Sequence, residues 1–332
     1  MHMLIIRPGA IGDVLLAFPV IQALRAQYEG ARVTLVSNPA LLPLARVCGI
    51  AEETSDYAAA QWSELFLTPE RRAARANSRL PEALYGIDMA VCWLKDPGGL
   101  VERNLRAAGV GRVVVAPGRP PAGERVHIVE YLAMTAGVSV GEISRLTLSE
   151  VEPAKPSQAR SGPVALHPGS GGARKCWPVS HFATVIQALW RRQIPVLLLS
   201  GPADHERLRD LQALLPSPAR PSLLTTLSEA PLLEVAQRLQ RCRGYVGNDS
   251  GITHLAALLG LPTIAIFGAS DPVIWRPPGP AVTLLYEPVL ENLSPDTVFS
   301  TMEASFLPEH ICCSRFLWPG VPTVLPHREE VM

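Results

Sequence analysis

Apolar residues recur along the chain in short blocks set between loops rich in Gly, Pro and polar residues. Leu4, Ile5 and Ile6 form the first block, closed by Pro8 and Gly9, which reads as a buried parallel strand entering a loop. Residues 14–27 then carry Leu15, Leu16, Ile21 and Leu24 at helical spacing, with Pro19 as an expected kink. Residues 32–36 read as the next strand, and 41–47 as a helix stopped by Gly49. Further strands are predicted at 89–93 and 112–115. A polar, Pro-rich stretch at 152–163 reads as a linker, and after it the pattern restarts. Strands are predicted at 164–167, 195–200, 245–247 and 263–268. Helices at 182–192, 203–215, 230–240 and 251–259 alternate with them. Strands alternating with helices specify an α/β protein with parallel sheets. The prediction is two Rossmann-like domains, 1–155 and 160–332, facing a central cleft. In such sheets ligands bind beyond the carboxyl ends of the strands, where the polar loops of this chain lie.

The bulk numbers are consistent with this division and remove some functions. At 332 residues the chain exceeds one ordinary domain, and with 48% hydrophobic and 18% charged residues it can bury a large core. Residues 1–160 carry 17 basic and 16 acidic side chains, and residues 161–332 carry 13 and 14. Neither half is a polycation, so a nucleic-acid partner has no electrostatic support. Six cysteines stand at 48, 92, 176, 242, 312 and 313 with no CxxC pair, which argues against a metal or iron–sulfur cage. They read as free thiols in a reducing cytoplasm. There is no run of 18 apolar residues, and the N-terminus reads as a first strand rather than a signal peptide.

Four loops carry candidate chemistry. In Asn248-Asp249-Ser250-Gly251-Ile252-Thr253-His254, Asp249 or Ser250 can cap a helix starting near Gly251. Free N–H groups and the helix dipole there favour an anion, Gly251 admits a phosphate close to the backbone, and His254 lies one turn on. The competing reading is a plain cap with a packed histidine. The Gly-rich stretch from Pro168 through Gly169, Ser170, Gly171 and Gly172 to Arg174 and Lys175 outlines a phosphate cradle. It matches neither GxxxxGK[ST] nor GxGxxG. The chain has 27 Arg and three Lys, so a lysine in that loop is informative, its compact ammonium suiting a phosphate. A mobile surface loop is the alternative. Glu206, opening a helix after a strand, either accepts from ribose hydroxyls or merely suits the dipole. Asp13, after Gly12 in the first loop, is either a cap or a general base facing the cleft.

Taken together, these motifs resemble glycosyltransferase family 9, the bacterial ADP-heptose:lipopolysaccharide heptosyltransferases. The resemblance rests on Pro8 to Asp13, on His167-Pro168-Gly169-Ser170 with Arg174 to Pro178, on Gly247 to Ala257, and on Phe267 to Pro272. It runs in order from residue 3 to about 280. It implies the GT-B fold and an inverting, metal-independent transfer that needs no cofactor; the chain also lacks any Asp-x-Asp pair. Asp13 takes the position of the catalytic aspartate, deprotonating an acceptor hydroxyl as it attacks C1 of the sugar. Gly169, Ser170, Lys175, Ser250, Gly251 and His254 fall to the donor's diphosphate, Asp249 to sugar hydroxyls and Glu206 to the ribose. The implied donor is ADP-heptose, and the implied acceptor a lipid-linked lipopolysaccharide core held by the N-terminal half. Arg71, Arg72, Arg75 and Arg79 are its candidate contacts, with a solvated helix face as the alternative. A helix at 295–306 is expected to cross back to the N-terminal domain. The expected location is the cytoplasm, with at most peripheral contact at the inner membrane face. Three other readings stay open: a GT-B transferase for another sugar, nucleotide or acceptor; a non-catalytic nucleotide- or sugar-binding protein; and an NAD-dependent oxidoreductase, which the missing GxGxxG disfavours.

Overall fold

The computed structural model describes residues 1–73, 80–149 and 161–307. The linker at 152–160, Arg75, Arg79, Cys312 and Cys313 lie outside the described residues. Two parallel sheets form. The first has five strands, β1 (His2–Arg7), β2 (Arg32–Ser37), β3 (Glu53–Asp56), β4 (Met89–Trp93) and β5 (Arg112–Ala116), in the order β3-β2-β1-β4-β5. The second has six, β6 (Val164–His167), β7 (Val196–Ser200), β8 (Leu224–Ser228), β9 (Gly244–Asn248), β10 (Thr263–Phe267) and β11 (Val282–Tyr286), in the order β11-β10-β9-β6-β7-β8. Strands β1, β4, β6, β9 and β10 are almost wholly buried because helices cover both faces of each sheet. Their near-continuous apolar sequences follow from that burial.

Each sheet has one place where the strand order reverses, between β1 and β4 in the first and between β6 and β9 in the second. Loops diverge at such a point and leave a crevice at the carboxyl ends of the strands. The Asp13 loop leaves β1, the Gly-rich loop leaves β6, and the Asn248–Gly251 turn leaves β9. The chain order alone therefore brings these motifs to the two crevices.

Two sequence expectations are corrected. The helix over 14–27 is two helices, Ile11–Leu15 and Phe18–Gln27. Pro19 sits in the first turn of the second, where a missing N–H costs nothing, so it starts a helix instead of kinking one. The helix expected to cross back, Pro295–Ser305, packs on its own domain against the helix Val179–Arg191. Val298, Met302, Phe306 and Leu307 join the core of the second sheet, and Phe306 fills the space over Gly244, where a Cβ would lie 2.4 Å from the ring. Burial of that apolar face holds the helix where it is.

The domains meet directly. Helices Ile11–Leu15 and Gly251–Leu258 abut. A Cβ on Gly251 would stand 2.8 Å from Ile11 Cγ2 and 3.1 Å from the Gly12 nitrogen, and one on Gly12 would stand 3.1 Å from His254 Cδ2. Both glycines are required by domain apposition. One apolar cluster, including Leu15, Leu24 and Leu132 from one domain and Val235, Leu239 and Leu255 from the other, runs through the seam. No helix among the described residues is long and apolar enough to cross a membrane.

Candidate active site

Asp13 lies in the first turn of its short helix with only 13% of its side chain exposed. Two arginines flank it. Arg119, itself 67% exposed, brings Nη2 to 3.2 Å from Oδ2. Arg7, at the end of β1, donates from Nε to the Asp13 carbonyl at 3.1 Å and holds Nη2 3.8 Å from Oδ1. Arg7 is buried, and its Nη2 has no hydrogen-bond partner. Burial lowers its pKa, Asp13 raises it, and Arg119 lowers it again. The guanidinium fits a notch at Gly118, where a Cβ would fall 1.9 Å from Nη1. Neither Arg7 nor Arg119 stands out in the sequence. Arg119 is remote from Asp13 along the chain, and the Gly118 notch appears only once β1 and β5 lie in one sheet.

Across the seam, Asp249 is buried and its Oδ2 is engaged twice. Lys175 Nζ donates to its Oδ2 at 2.7 Å, and Ser270 Oγ donates to the same oxygen at 2.6 Å. Its Oδ1 lies 3.8 Å from His254 Nε2. Ser170 Oγ donates to the Asp249 carbonyl at 2.5 Å. Gly-rich loop and helix cap are thus stitched together by Ser170, Lys175 and Asp249. A sugar hydroxyl bound by Asp249 must share it with Lys175 and Ser270. His254 is buried against Gly12, and burial pushes its pKa down to about 4, with Asp249 and Asp13 pulling the other way. It is neutral at pH 7, and its Nδ1 has no partner. His254 therefore stands between the Asp13 and Asp249–Lys175 groups.

The Gly-rich loop is held at both ends. Asn248 accepts from the Trp177 N–H at 2.9 Å and donates to the Pro168 carbonyl at 2.8 Å. Arg207 donates to the Pro168 carbonyl at 3.1 Å and the Trp177 carbonyl at 2.7 Å. Gly171 and Gly172 between these anchors face open space. Gly169 has a different origin: a Cβ there would lie 2.0 Å from Asp204 Oδ1. Ser250 caps the helix Gly251–Leu258, accepting from the Thr253 N–H at 3.4 Å. The helix leaves its first N–H groups at the mouth of the cleft, an anion-binding arrangement. Glu206 is exposed in the first turn of the helix His205–Leu214. Arg71 is exposed near the end of the short helix Pro69–Ala73, which also contains Arg72.

Three contacts close the seam beside the site. Arg125 Nε donates to Asp271 Oδ2 at 2.8 Å, and this hydrogen bond holds the Asp271 carboxyl below its usual range. Arg119 lies over the Trp275 ring at 5.4 Å, and His127 Nε2 is 3.0 Å from the Arg276 carbonyl. A cavity of about 710 Å³ opens along these contacts, lined among others by Arg125, His127, Glu142, Pro272 and Arg276. Asp13 and Lys175 do not line it.

The model of glycosyltransferase family 9 (heptosyltransferase) matches residues 111–297. Lipopolysaccharide heptosyltransferase 3 of Escherichia coli is 31% identical over 114 residues, covering 34% of this chain and 33% of that protein. The match thus spans about a third of that relative's length. Lipopolysaccharide heptosyltransferase 1 of Pseudomonas aeruginosa is 25% identical over 301 residues, covering 82% of this chain and 80% of that protein. Among solved structures, E. coli ADP-heptose lps heptosyltransferase II superposes with a TM-score of 0.72 at 20% identity, over 92% of this chain and 99% of that one. At that identity the superposition establishes the fold, which is GT-B.

Proposed function

This chain belongs to glycosyltransferase family 9, the heptosyltransferases, and from that premise we propose that it moves heptose from ADP-heptose to a lipopolysaccharide inner-core acceptor, inverting the anomeric carbon without a metal. The observation that carries the reading is the apposition of Asp13, from one switch-point crevice, with Lys175, Asp249 and the Ser250–Gly251 helix start from the other. A base and a diphosphate site on facing domains suit a single displacement. Asp13 takes the acceptor proton as its oxygen attacks C1, a contribution of about 10²–10⁴ in rate. Lys175 and the helix N–H groups stabilise the charge growing on the departing ADP. Ser170 exchanges its bond to the Asp249 carbonyl for one to a phosphate oxygen, Asp249 binds the sugar, Glu206 the ribose, and His254 contacts the diphosphate or shapes the pocket. Arg119, beside Asp13, joins Arg71, Arg72, Arg75 and Arg79 as a contact for the acceptor's anionic groups. With a lipid-linked acceptor, the reading has the enzyme work in the cytoplasm with at most peripheral contact at the inner membrane face.

The test incubates the protein in EDTA with a deep-rough lipopolysaccharide core and, in turn, ADP-heptose and UDP-hexoses, measuring released nucleotide. ADP release from ADP-heptose alone is expected. Release only from a UDP-sugar, or only when a divalent metal replaces EDTA, contradicts the reading.

A further inference from the structure

Beneath the cap of the helix Gly251–Leu258 lies a buried chain of polar groups that the proposed transfer leaves without a role. Asp204 Oδ2 accepts from the Gly201 N–H at 2.8 Å and stands 3.0 Å from His167 Nε2. His167 Nδ1 stands 3.2 Å from Ser250 Oγ. Ser250 Oγ in turn meets the Thr253 N–H and, at 3.0 Å, Thr253 Oγ1. The chain links residues at the ends of three strands, β6, β7 and β9, and Asp204 and His167 are each 5% exposed. Gly169 is glycine so that Asp204 can occupy this place. Burial pushes the Asp204 carboxyl up, but the bonds from His167 and the Gly201 N–H outweigh it and leave the group below its usual range.

The direction of Ser250's proton follows from this. Ionised Asp204 accepts from His167 Nε2–H. When the imidazole is neutral, Nδ1 carries a lone pair and accepts Ser250's proton, so the hydroxyl points inward. When the imidazole is protonated, both ring nitrogens donate, and Ser250's proton is freed to point either at Thr253 Oγ1, which itself donates to the Asn248 carbonyl, or into the cleft, where an anionic phosphate oxygen is the stronger acceptor. We propose that Asp204 and His167 are positioning residues for Ser250: the diphosphate's arrival draws one proton from solvent onto His167, which turns the Ser250 hydroxyl outward to donate to a phosphate oxygen. This rests on the proposed nucleotide site. The other charged or titratable groups around the relay are Arg207, Cys176, Asp249, Lys175, His254 and Tyr245, whose hydroxyl bonds Thr253 and Ser250. All are retained in every variant tested, and ADP is common to every measurement, so differences between variants report on the relay residues.

The experiment measures ADP dissociation constants by calorimetry at pH 6 and pH 8 for the full chain, His167→Gln, Ser250→Ala and the double variant. The glutamine amide keeps a donor toward Asp204 and removes Nδ1. A charge-assisted hydrogen bond is lost as pH rises, so the pH 8 to pH 6 ratio is expected to be about tenfold larger in wild type than in His167→Gln. Ser250→Ala should weaken binding at pH 6 in the wild-type background and leave it unchanged in the His167→Gln background. Asp204→Asn, which preserves volume but cannot support the imidazolium, should flatten the pH dependence in the same way and guards against misfolding of one variant. Equal pH ratios in wild type and His167→Gln, or additive losses in the double variant, overturn the relay while leaving ADP binding intact. Absence of ADP binding by wild type removes the nucleotide site and the relay together.

Discussion

Arg7 shows what a single residue contributes here. Its guanidinium is buried under the loop that carries Asp13, bonded to that residue's carbonyl and close to its carboxylate. Gly118 provides the room, with the Trp93 carbonyl 3.2 Å from where a Cβ would sit and closing the other side. Gly118→Ala therefore overpacks the notch. The expected outcome is a loss of about 1–3 kcal/mol in denaturant unfolding. Displacing Arg7 also frees the Asp13 loop, so the transfer rate should fall by an order of magnitude or more while ADP affinity stays near wild type. Unchanged unfolding and unchanged rate would show that the notch does not constrain Arg7. The loops that carry Asp13 and Lys175 were legible from sequence because they carry recognisable motifs. Arg7, Gly118 and Arg207 were not, since their roles depend on which strands lie side by side. For Gly169 and Gly251 part of the reason was hidden: besides any room they leave a phosphate, the first accommodates Asp204 and the second the facing domain.

Among the elements, the central strands and the edge strand β5, with its Val113-Val114-Val115 run, were readable, and the other edges were not. β1, β4, β6, β9 and β10 are buried on both faces, which demands continuous apolar runs. β3, β8 and β11 are partly exposed edge strands, and Glu53-Thr54-Ser55-Asp56 or Thr225-Thr226 lacks any such run. The break between the helices Ile11–Leu15 and Phe18–Gln27 is hidden in the sequence because the apolar spacing continues through it. The first of these helices carries the proposed base, and it is set against the helix Gly251–Leu258 through Gly12 and Gly251. Gly251→Ala puts a methyl group 2.8 Å from Ile11 Cγ2, 2.9 Å from Ile11 Cβ and 3.1 Å from the Gly12 nitrogen of the facing domain, so Ile11 must shift and the backbone behind it limits how far. The transfer rate is expected to drop far more than ADP affinity, because the groups proposed to bind ADP all lie on one domain and the methyl changes chiefly its spacing from Asp13 on the other. Equal loss of rate and affinity would mean that the methyl disturbs the cap instead.

At the scale of the molecule, the proposed transfer depends on two crevices being held face to face. The seam is secured by an apolar cluster and by Arg125–Asp271, Arg119–Trp275 and His127–Arg276, each joining residues far apart along the chain. No local pattern announces such pairs, so the sequence indicated two domains and a cleft without indicating how the cleft is closed. The helix Pro295–Ser305 was expected on the wrong domain for the same reason: its apolar face is evident, and its partner is a matter of tertiary packing. The central claim is that Asp13 on one domain activates an acceptor against a donor bound on the other. The most direct measurement is the mass of a deep-rough lipopolysaccharide acceptor after incubation with ADP-heptose in EDTA, for wild type and for Asp13→Ala. Addition of one heptose by wild type, reduced at least about a hundredfold in Asp13→Ala with ADP binding preserved, is the predicted result. Heptose transfer by Asp13→Ala at the wild-type rate would contradict it.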